Sequence, residues 1–434
     1  MAASTMSSTD MSKEKLLELV ESEAQDHIAL LQSLIRSPTP NPPGNTKEAI
    51  TLVQKYLNAA GIASKVIAPN PECPNLVAVL HGEASGHHAT ERSIILNGHI
   101  DQFPVPDATQ WHRNPYSGDL SNGYIHGRSG VDMKAGTAAS IIAFTYLHRF
   151  RAHFVGRCTL QVVSDEETGG RWGTKYLLDN AESAGDCVFI GEPSGLESVR
   201  FGEKGTLRMD FTVTAPAAHG AYTHRSEGAI RIAARLIARL VEMEKTDFGM
   251  DEALKKHMQR PDVRKVADEI MWPGAADAML YPSVNIGTIE GGAKINMIPS
   301  ECTFAVDIRI PIGVKSQTIR THIDKILSTA DFASASYTVR EDHSHAPTHS
   351  DPAHELVGLL QENAKTVGKR EPLAICSLGA TDCKHFRSYG VPAFAYGPHP
   401  RGMAERDEKV SVEEFLEVVQ VHTLTAWDYL GGSA

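Results

Sequence analysis

The chain has 434 residues, 41% of them hydrophobic and 22% charged, a balance ordinary for a globular protein and a length that predicts two domains rather than one core. Lys plus Arg number 42 against 53 Asp plus Glu, a formal charge of −11; with no basic block, nucleic acid and anionic membrane surfaces are excluded as expected partners. No apolar run approaches the ~18 residues of a membrane span, and residues 1–12 are small and polar, without a basic-then-apolar signal layout, so they read as a frayed tail.

Six cysteines, at 73, 158, 187, 302, 376 and 383, are scattered and form no C-x-x-C pair. That pattern fits a reducing compartment, and a cytoplasmic location is the default expectation. The 20 histidines are many for this length, enough for some to bind metal.

In chain order, residues 13–36 carry helical periodicity, stopped by the Pro/Gly-rich turn 38–44. A second helix is predicted over 46–60, closed by Gly61, and a strand over 75–80. Residues 81–90 form a Gly/His-rich turn. The next stretch, 94–101, reads Ile-Ile-Leu-Asn-Gly-His-Ile-Asp. Period two puts His99 and Asp101 on one side of a strand, a spacing that suits a metal-ligating imidazole oriented by a carboxylate.

Residues 103–122 read as a long loop. Residues 124–136 then lead into a helix over 137–150, whose small residues Ala135, Gly136, Ala138 and Ala139 allow it to lie close to a sheet. Neither a phosphate loop nor a G-x-S-x-G nucleophile elbow fits this Gly-rich segment. A strand over 158–163 ends in Ser-Asp-Glu-Glu-Thr-Gly-Gly, with a helix over 173–179. Another strand over 187–190 ends in Gly-Glu-Pro. Three apolar, parallel strands thus finish in carboxylate or imidazole, and in open α/β sheets the ligand crevice lies beyond the strands' carboxyl ends. His99, Asp101, Asp132, Glu166, Glu167 and Glu192 are expected to converge there.

Beyond Gly202 the pattern alternates as antiparallel strands do. Strands over 206–214, 283–289, 302–310 and 334–340, with helices over 229–242 and 318–329, follow the split βαβ order. Residues 247–280 read as an insertion of irregular and helical character. Three histidines within 341–350 read as a solvated linker rather than a metal site. A helix over 355–367, a strand over 372–377, a short helix over 382–389, a strand over 391–396 and a helix over 412–430 complete the chain. The expected organisation is a catalytic domain over 13–202 and 343–434, with an inserted domain over 203–342.

Several carboxylates at one sheet edge repel each other, and cations are the usual remedy. Two divalent ions ~3.5–4 Å apart make a hydrolytic site, and a free carboxylate then moves the proton. The Glu166-Glu167 pair can divide that labour, one side chain on metal and the other facing substrate.

In order, the motifs are Gly-His-Ile-Asp, Gly-Arg-Ser-Gly-Val-Asp-Met-Lys-Ala-Gly, Asp-Glu-Glu-Thr-Gly, Gly-Glu-Pro-Ser, Ala-Ala-His-Gly-Ala and Gly-Ala-Thr-Asp. Together they resemble the dinuclear metallohydrolases that include acetylornithine deacetylase, succinyl-diaminopimelate desuccinylase, aminoacylase and glutamate carboxypeptidase. The resemblance implies an α/β fold: a zinc-exopeptidase-like catalytic domain with a mixed central sheet, plus an inserted α+β, ferredoxin-like lid and dimerisation domain. It implies two divalent ions, zinc first, with cobalt or manganese as alternatives. His99 and Glu192 would hold one ion and Glu167 the other, with Asp132 between them. Asp101 would orient His99, and Glu166 would be the general acid/base. His219 would stabilise the oxyanion in a neighbouring subunit's site, which implies a homodimer. Arg309 and Asn296 would contact the substrate, and Gly379, Ala380 and Thr381 would line its pocket. The implied substrate is an N-acyl amino acid or short peptide with a free carboxylate.

The family's last metal ligand, a His after Gly-Pro-Gly, is missing. Here the segment runs Gly397-Pro-His-Pro-Arg-Gly-Met-Ala-Glu405-Arg-Asp-Glu. Glu405 is the expected replacement, with His399 or a site holding one metal tightly as alternatives; oxygen ligands would shift preference toward manganese, cobalt or magnesium. Gly228 stands where the family commonly has Asn. Besides hydrolysis, two readings stay open: a related catalyst on an unusual specialised-metabolism substrate, including amide-bond formation, and a catalytically degenerate binding protein.

Overall fold

The strands Ser93–His99, Arg157–Val163 and Cys187–Ile190 lie side by side and parallel, with Ile94 paired to Cys158 on one flank and to Cys187 on the other. Their near-continuous burial follows from apolar side chains on both faces, as parallel strands covered on both sides require. A computed structural model describes residues 11–84, 92–182 and 185–432 of the chain. Residues 1–10 of the polar start and 85–90 of the Gly/His-rich turn lie outside the described residues.

Around these three strands the sheet is mixed. Asn75–His81 runs antiparallel to Arg157–Val163, and Lys65–Ile67 antiparallel to it in turn. On the other flank Ala393–Ala395 runs parallel to Cys187–Ile190, and Ser198–Glu203 pairs antiparallel through Arg200 and Ala395. The helix Ala135–Arg149 is buried along most of its length. It approaches the sheet closely because Gly136 faces Gly191, and a methyl at either position would overlap the other's backbone.

Several sequence expectations change in detail. The single helix over 13–36 is two, Lys13–Ser22 and Ala24–Ile35, broken at Glu23. Glu23 accepts from Tyr146 Oη at 2.7 Å and Arg149 Nη1 at 2.9 Å, which ties the break to a neighbouring helix. The loop over 103–122 contains the strand Asp119–Ser121, which joins Tyr124–His126 and Lys409–Ser411 in a small antiparallel sheet. Three-residue strands are too short for an alternating pattern to reveal.

Contacts divide the chain into two compact units. One comprises the chain up to Phe201, Ser350–Ala374 and the segment from Thr381; the other comprises Gly202–His349 and Ile375–Ala380. Within the second, an antiparallel sheet has the order Ser283–Gly291, Glu301–Ile310, Gly205–Thr214, Ala335–Val339. The helices Ala229–Val241 and Ser316–Leu327 complete the split βαβ order. The insertion over 247–280 is helical: Glu252–Met258, Pro261–Ile270 and Ala275–Ala278. Among the described residues no helix is long and apolar enough to cross a membrane.

His422, fully buried on the helix Val412–Tyr429, bonds through Nε2 to the Tyr396 carbonyl at 2.8 Å and packs against Phe189 with ring centroids 4.1 Å apart. Burial pushes its pKa down to about 4, against a smaller raising effect of that carbonyl. As pH falls from about 6.5 toward 4, the unfolded chain takes up this proton and the folded chain does not. Stability from this group is therefore present above 6.5 and declines by about 1.4 kcal/mol per pH unit on acidification. Urea unfolding at pH 7, 6 and 5 should show a shallower pH slope for His422→Gln than for wild type; equal slopes would assign the dependence elsewhere.

Candidate metal centre

Strand ends place the acidic and imidazole groups. His99 is the last residue of its strand; its amide faces Met133 Sδ at 3.4 Å, and its carbonyl accepts from Thr137 Oγ1 at 2.7 Å. Nδ1 faces the backbone carbonyl of Asp101 at 3.0 Å. That leaves Nε2 directed at Asp132 Oδ1, 3.3 Å away, and Glu192 Oε1, 3.7 Å away.

Asp101 thus stands behind His99 with its backbone carbonyl nearer than its carboxylate, whose Oδ1 is 3.6 Å from Nδ1. Oδ1 accepts from the Glu166 amide and Oδ2 from the Glu167 amide, both at 3.2 Å, and Oδ2 also accepts from Asn41 Nδ2 at 2.8 Å. Asp165 takes a left-handed conformation (φ +72°), which bends the chain off its strand into the turn Glu166–Thr168. Asp101 therefore fastens the turn that carries both glutamates.

His99, Asp132 and Glu167 each offer a ligand atom within 4.8 Å of the others. Glu167 Oε1 is buried and has no hydrogen-bond partner. An unpaired buried carboxylate oxygen aimed into an acidic cluster is what a bound cation would satisfy, so these residues fit a divalent metal. The electrostatics agree. Burial raises the pKa of Glu167, to about 11, with Asp132 adding to it. Burial likewise raises Glu166, Glu192 and Asp101. For His99, burial alone would lower the pKa, but the Asp132 hydrogen bond and the Glu192, Asp101 and Glu166 charges hold it well above the usual value.

Glu405 lies outside this group. It is exposed, and its backbone carbonyl accepts from Arg128 Nη1 at 3.1 Å. The inward-facing acid of that segment is Glu408, missed in the sequence reading. Its Oε2 accepts from Arg128 Nη1 at 2.7 Å and its Oε1 from the Val131 and Asp132 amides at 2.9 and 3.4 Å. Glu408 thus holds the backbone that presents Asp132. The expectation of Glu405 as ligand is corrected for that reason: the turns over 400–407 point it to solvent while Glu408 takes the buried position. His399 is also outside the group; its amide donates to Glu414 Oε2 and its Nδ1 accepts from the Arg401 amide.

A second residue missed is Lys384, whose Nζ lies 3.5 Å from Glu166 Oε1 and donates to the Thr381 carbonyl at 3.0 Å. Lys384 stands two residues past the Asp of Gly-Ala-Thr-Asp, and nothing in that motif indicates its reach.

His219, Asn296, Arg309, Gly379 and Ala380 fall in the second unit, and Thr381 in the first. His219 and Asn296 are neighbours there: Ala218–His219 pairs with Met297–Ile298, and the Asn296 carbonyl accepts from the Gly220 amide. The guanidinium of Arg309 is engaged by Asp307, with Nε at 2.8 Å and Nη2 at 3.1 Å.

Two substitutions test this geometry. Asp101→Asn turns one acceptor oxygen into a donor facing an amide, so metal affinity should fall roughly 10–100-fold, measurable by titration of metal-free protein. Glu405→Ala should leave metal content unchanged and stability within about 0.5 kcal/mol of wild type.

The model of peptidase family M20/M25/M40 matches residues 95–428. The chain is 25% identical to a succinyl-diaminopimelate desuccinylase from Methylorubrum populi, over 92% of this chain and 97% of that one. It is 28% identical to an N-formyl-4-amino-5-aminomethyl-2-methylpyrimidine deformylase from Halalkalibacterium halodurans, over 94% of each chain. An M20 family metallo-carboxypeptidase from Sulfolobus solfataricus has a similar structure, with TM-score 0.74 at 17% identity, covering 93% of this chain and 99% of the other.

Proposed function

Because the chain belongs to peptidase family M20/M25/M40, and with it is a metal-dependent amidohydrolase or peptidase, we propose that it hydrolyses the amide bond of an N-acyl amino acid or short peptide bearing a free carboxylate. The observation that carries this reading is the cluster of His99, Asp132 and Glu167 donors around the unpartnered Glu167 oxygen. His99 and Glu192 would hold one divalent cation and Glu167 a second, with Asp132 between them; zinc is the first candidate, cobalt and manganese the next. Such cations, when bound, acidify water and polarise a carbonyl.

The chain's own residues would then do the following. Glu166 takes a proton from the attacking water and delivers it to the leaving nitrogen. Asp101 holds the turn that keeps Glu166 and Glu167 in register, and Glu408 holds the backbone at Asp132. His219 is the proposed oxyanion donor. Arg309 and Asn296 are the proposed substrate contacts, with Gly379 and Thr381 lining the pocket. For Arg309 that role requires its fork to leave Asp307. The second unit would serve as lid and dimerisation domain in a homodimer. The six cysteines are all free and buried, in keeping with the proposed cytosolic location.

Metal analysis of pure protein should be paired with a hydrolysis screen of N-acetyl, N-succinyl and N-formyl amides and dipeptides. The reading expects turnover that a chelator abolishes and a divalent ion restores. Glu166→Gln should lower kcat by roughly 10²–10⁴-fold with metal content at the wild-type level. Loss of metal in parallel with activity would instead make Glu166 a ligand.

A further inference from the structure

Glu166 and Glu167 are adjacent on one turn, and both amides are pinned by the same Asp101 carboxylate. Both backbone positions are therefore fixed, and Glu166 lies near enough to His99 and Asp132 to feel their charges, so something else must keep its carboxylate off the cations. Glu167 joins the His99–Asp132 group, whereas Glu166 Oε1 pairs with Lys384 Nζ at 3.5 Å.

Lys384 is itself held in place. It is buried, on the short helix Cys383–Ser388, and its ammonium donates to the Thr381 carbonyl at 3.0 Å. The residue at the start of that helix, Asp382, accepts from Thr174 Oγ1 at 2.6 Å, and Thr174 in turn accepts from Asn97 on the central strand. The helix start is thereby anchored to the sheet. A lysine ammonium is a compact charge with three donors, so it can hold the Thr381 carbonyl and the Glu166 carboxylate together. In a buried setting, where several carboxylates compete for cations, that pairing decides which way a flexible glutamate turns.

We propose that Lys384 is a positioning residue: its ammonium draws the Glu166 carboxylate away from the cation cluster, so that Glu167 ligates and Glu166 stays free to move protons. This rests on the hydrolase reading above. Without the ammonium, Glu166 turns to the cations and becomes an added ligand.

The test compares wild type, Lys384→Met, Lys384→Arg and the double variant Lys384→Met/Glu166→Gln, each loaded with Co²⁺. Lys384→Met should bind as much cobalt as wild type. Its visible absorption should weaken as coordination number rises, and kcat should fall by about 10²-fold, the low end of a proton-transfer contribution, with KM nearly constant. Lys384→Arg should restore most of both signals. The double variant should regain the wild-type spectrum, because the competing carboxylate is gone. If Lys384→Met does not fold, Lys384→Gln, which keeps a donor for Thr381, carries the same comparison. An unchanged cobalt spectrum in the singly substituted protein overturns the proposal. So does a raised KM at constant kcat, which would make Lys384 a substrate contact. If wild type hydrolyses no amide in the screen, the hydrolase reading fails, while the spectra still decide the role of Lys384.

Discussion

Buried negative charge at the carboxyl ends of three parallel strands constrains everything else in the catalytic unit. Asp132, Glu167 and Glu192 meet one imidazole, where burial and the neighbouring Asp132 charge both penalise the charged forms of Glu167 and Glu192. Such a cluster is stable as anions when cations share it and is otherwise driven to bind protons. The strand geometry that assembles it is stable in its own right, since the strands are apolar and covered on both faces. The sheet can therefore hold an electrostatically unfavourable group of side chains at its edge.

Within the cluster, hydrogen bonding separates supporting acids from reactive ones. Asp101 accepts from two amides and an asparagine, and Glu408 accepts from a guanidinium and two amides. Fixed donors engage their oxygens, so both serve as struts for the backbone at Glu166–Glu167 and at Asp132. Glu167 has a buried oxygen without a partner. A carboxylate left unsatisfied among satisfied ones is the feature that separates a ligand from a strut.

The segment after Gly397 departs from the expected pattern in a physically consistent way. It supplies no imidazole to the group, and its one buried acid, Glu408, is engaged by Arg128. Arg128 in turn lies over the Trp111 ring at 5.1 Å, which joins the loop between the first and second motifs to the turns around Glu405. In the second unit, the engagement of Arg309 by Asp307 similarly places an ion pair at an expected substrate contact.

The sequence by itself determined the α/β class, the three parallel strands and the convergence of His99, Asp132, Glu167 and Glu192. It could do so because burial of apolar runs and the position of polar residues at their ends are local properties, read from periodicity and composition. Tertiary structure alone decided which amides the Asp101 carboxylate holds, which acid near residue 405 turns inward, and which cation faces Glu166. Each of those depends on residues far apart in the chain, Asp101 with the amide of Glu167, Arg128 with Glu408, Lys384 with Glu166. Their hydrogen-bond and ion-pair partners are fixed by packing rather than by any spacing along the chain.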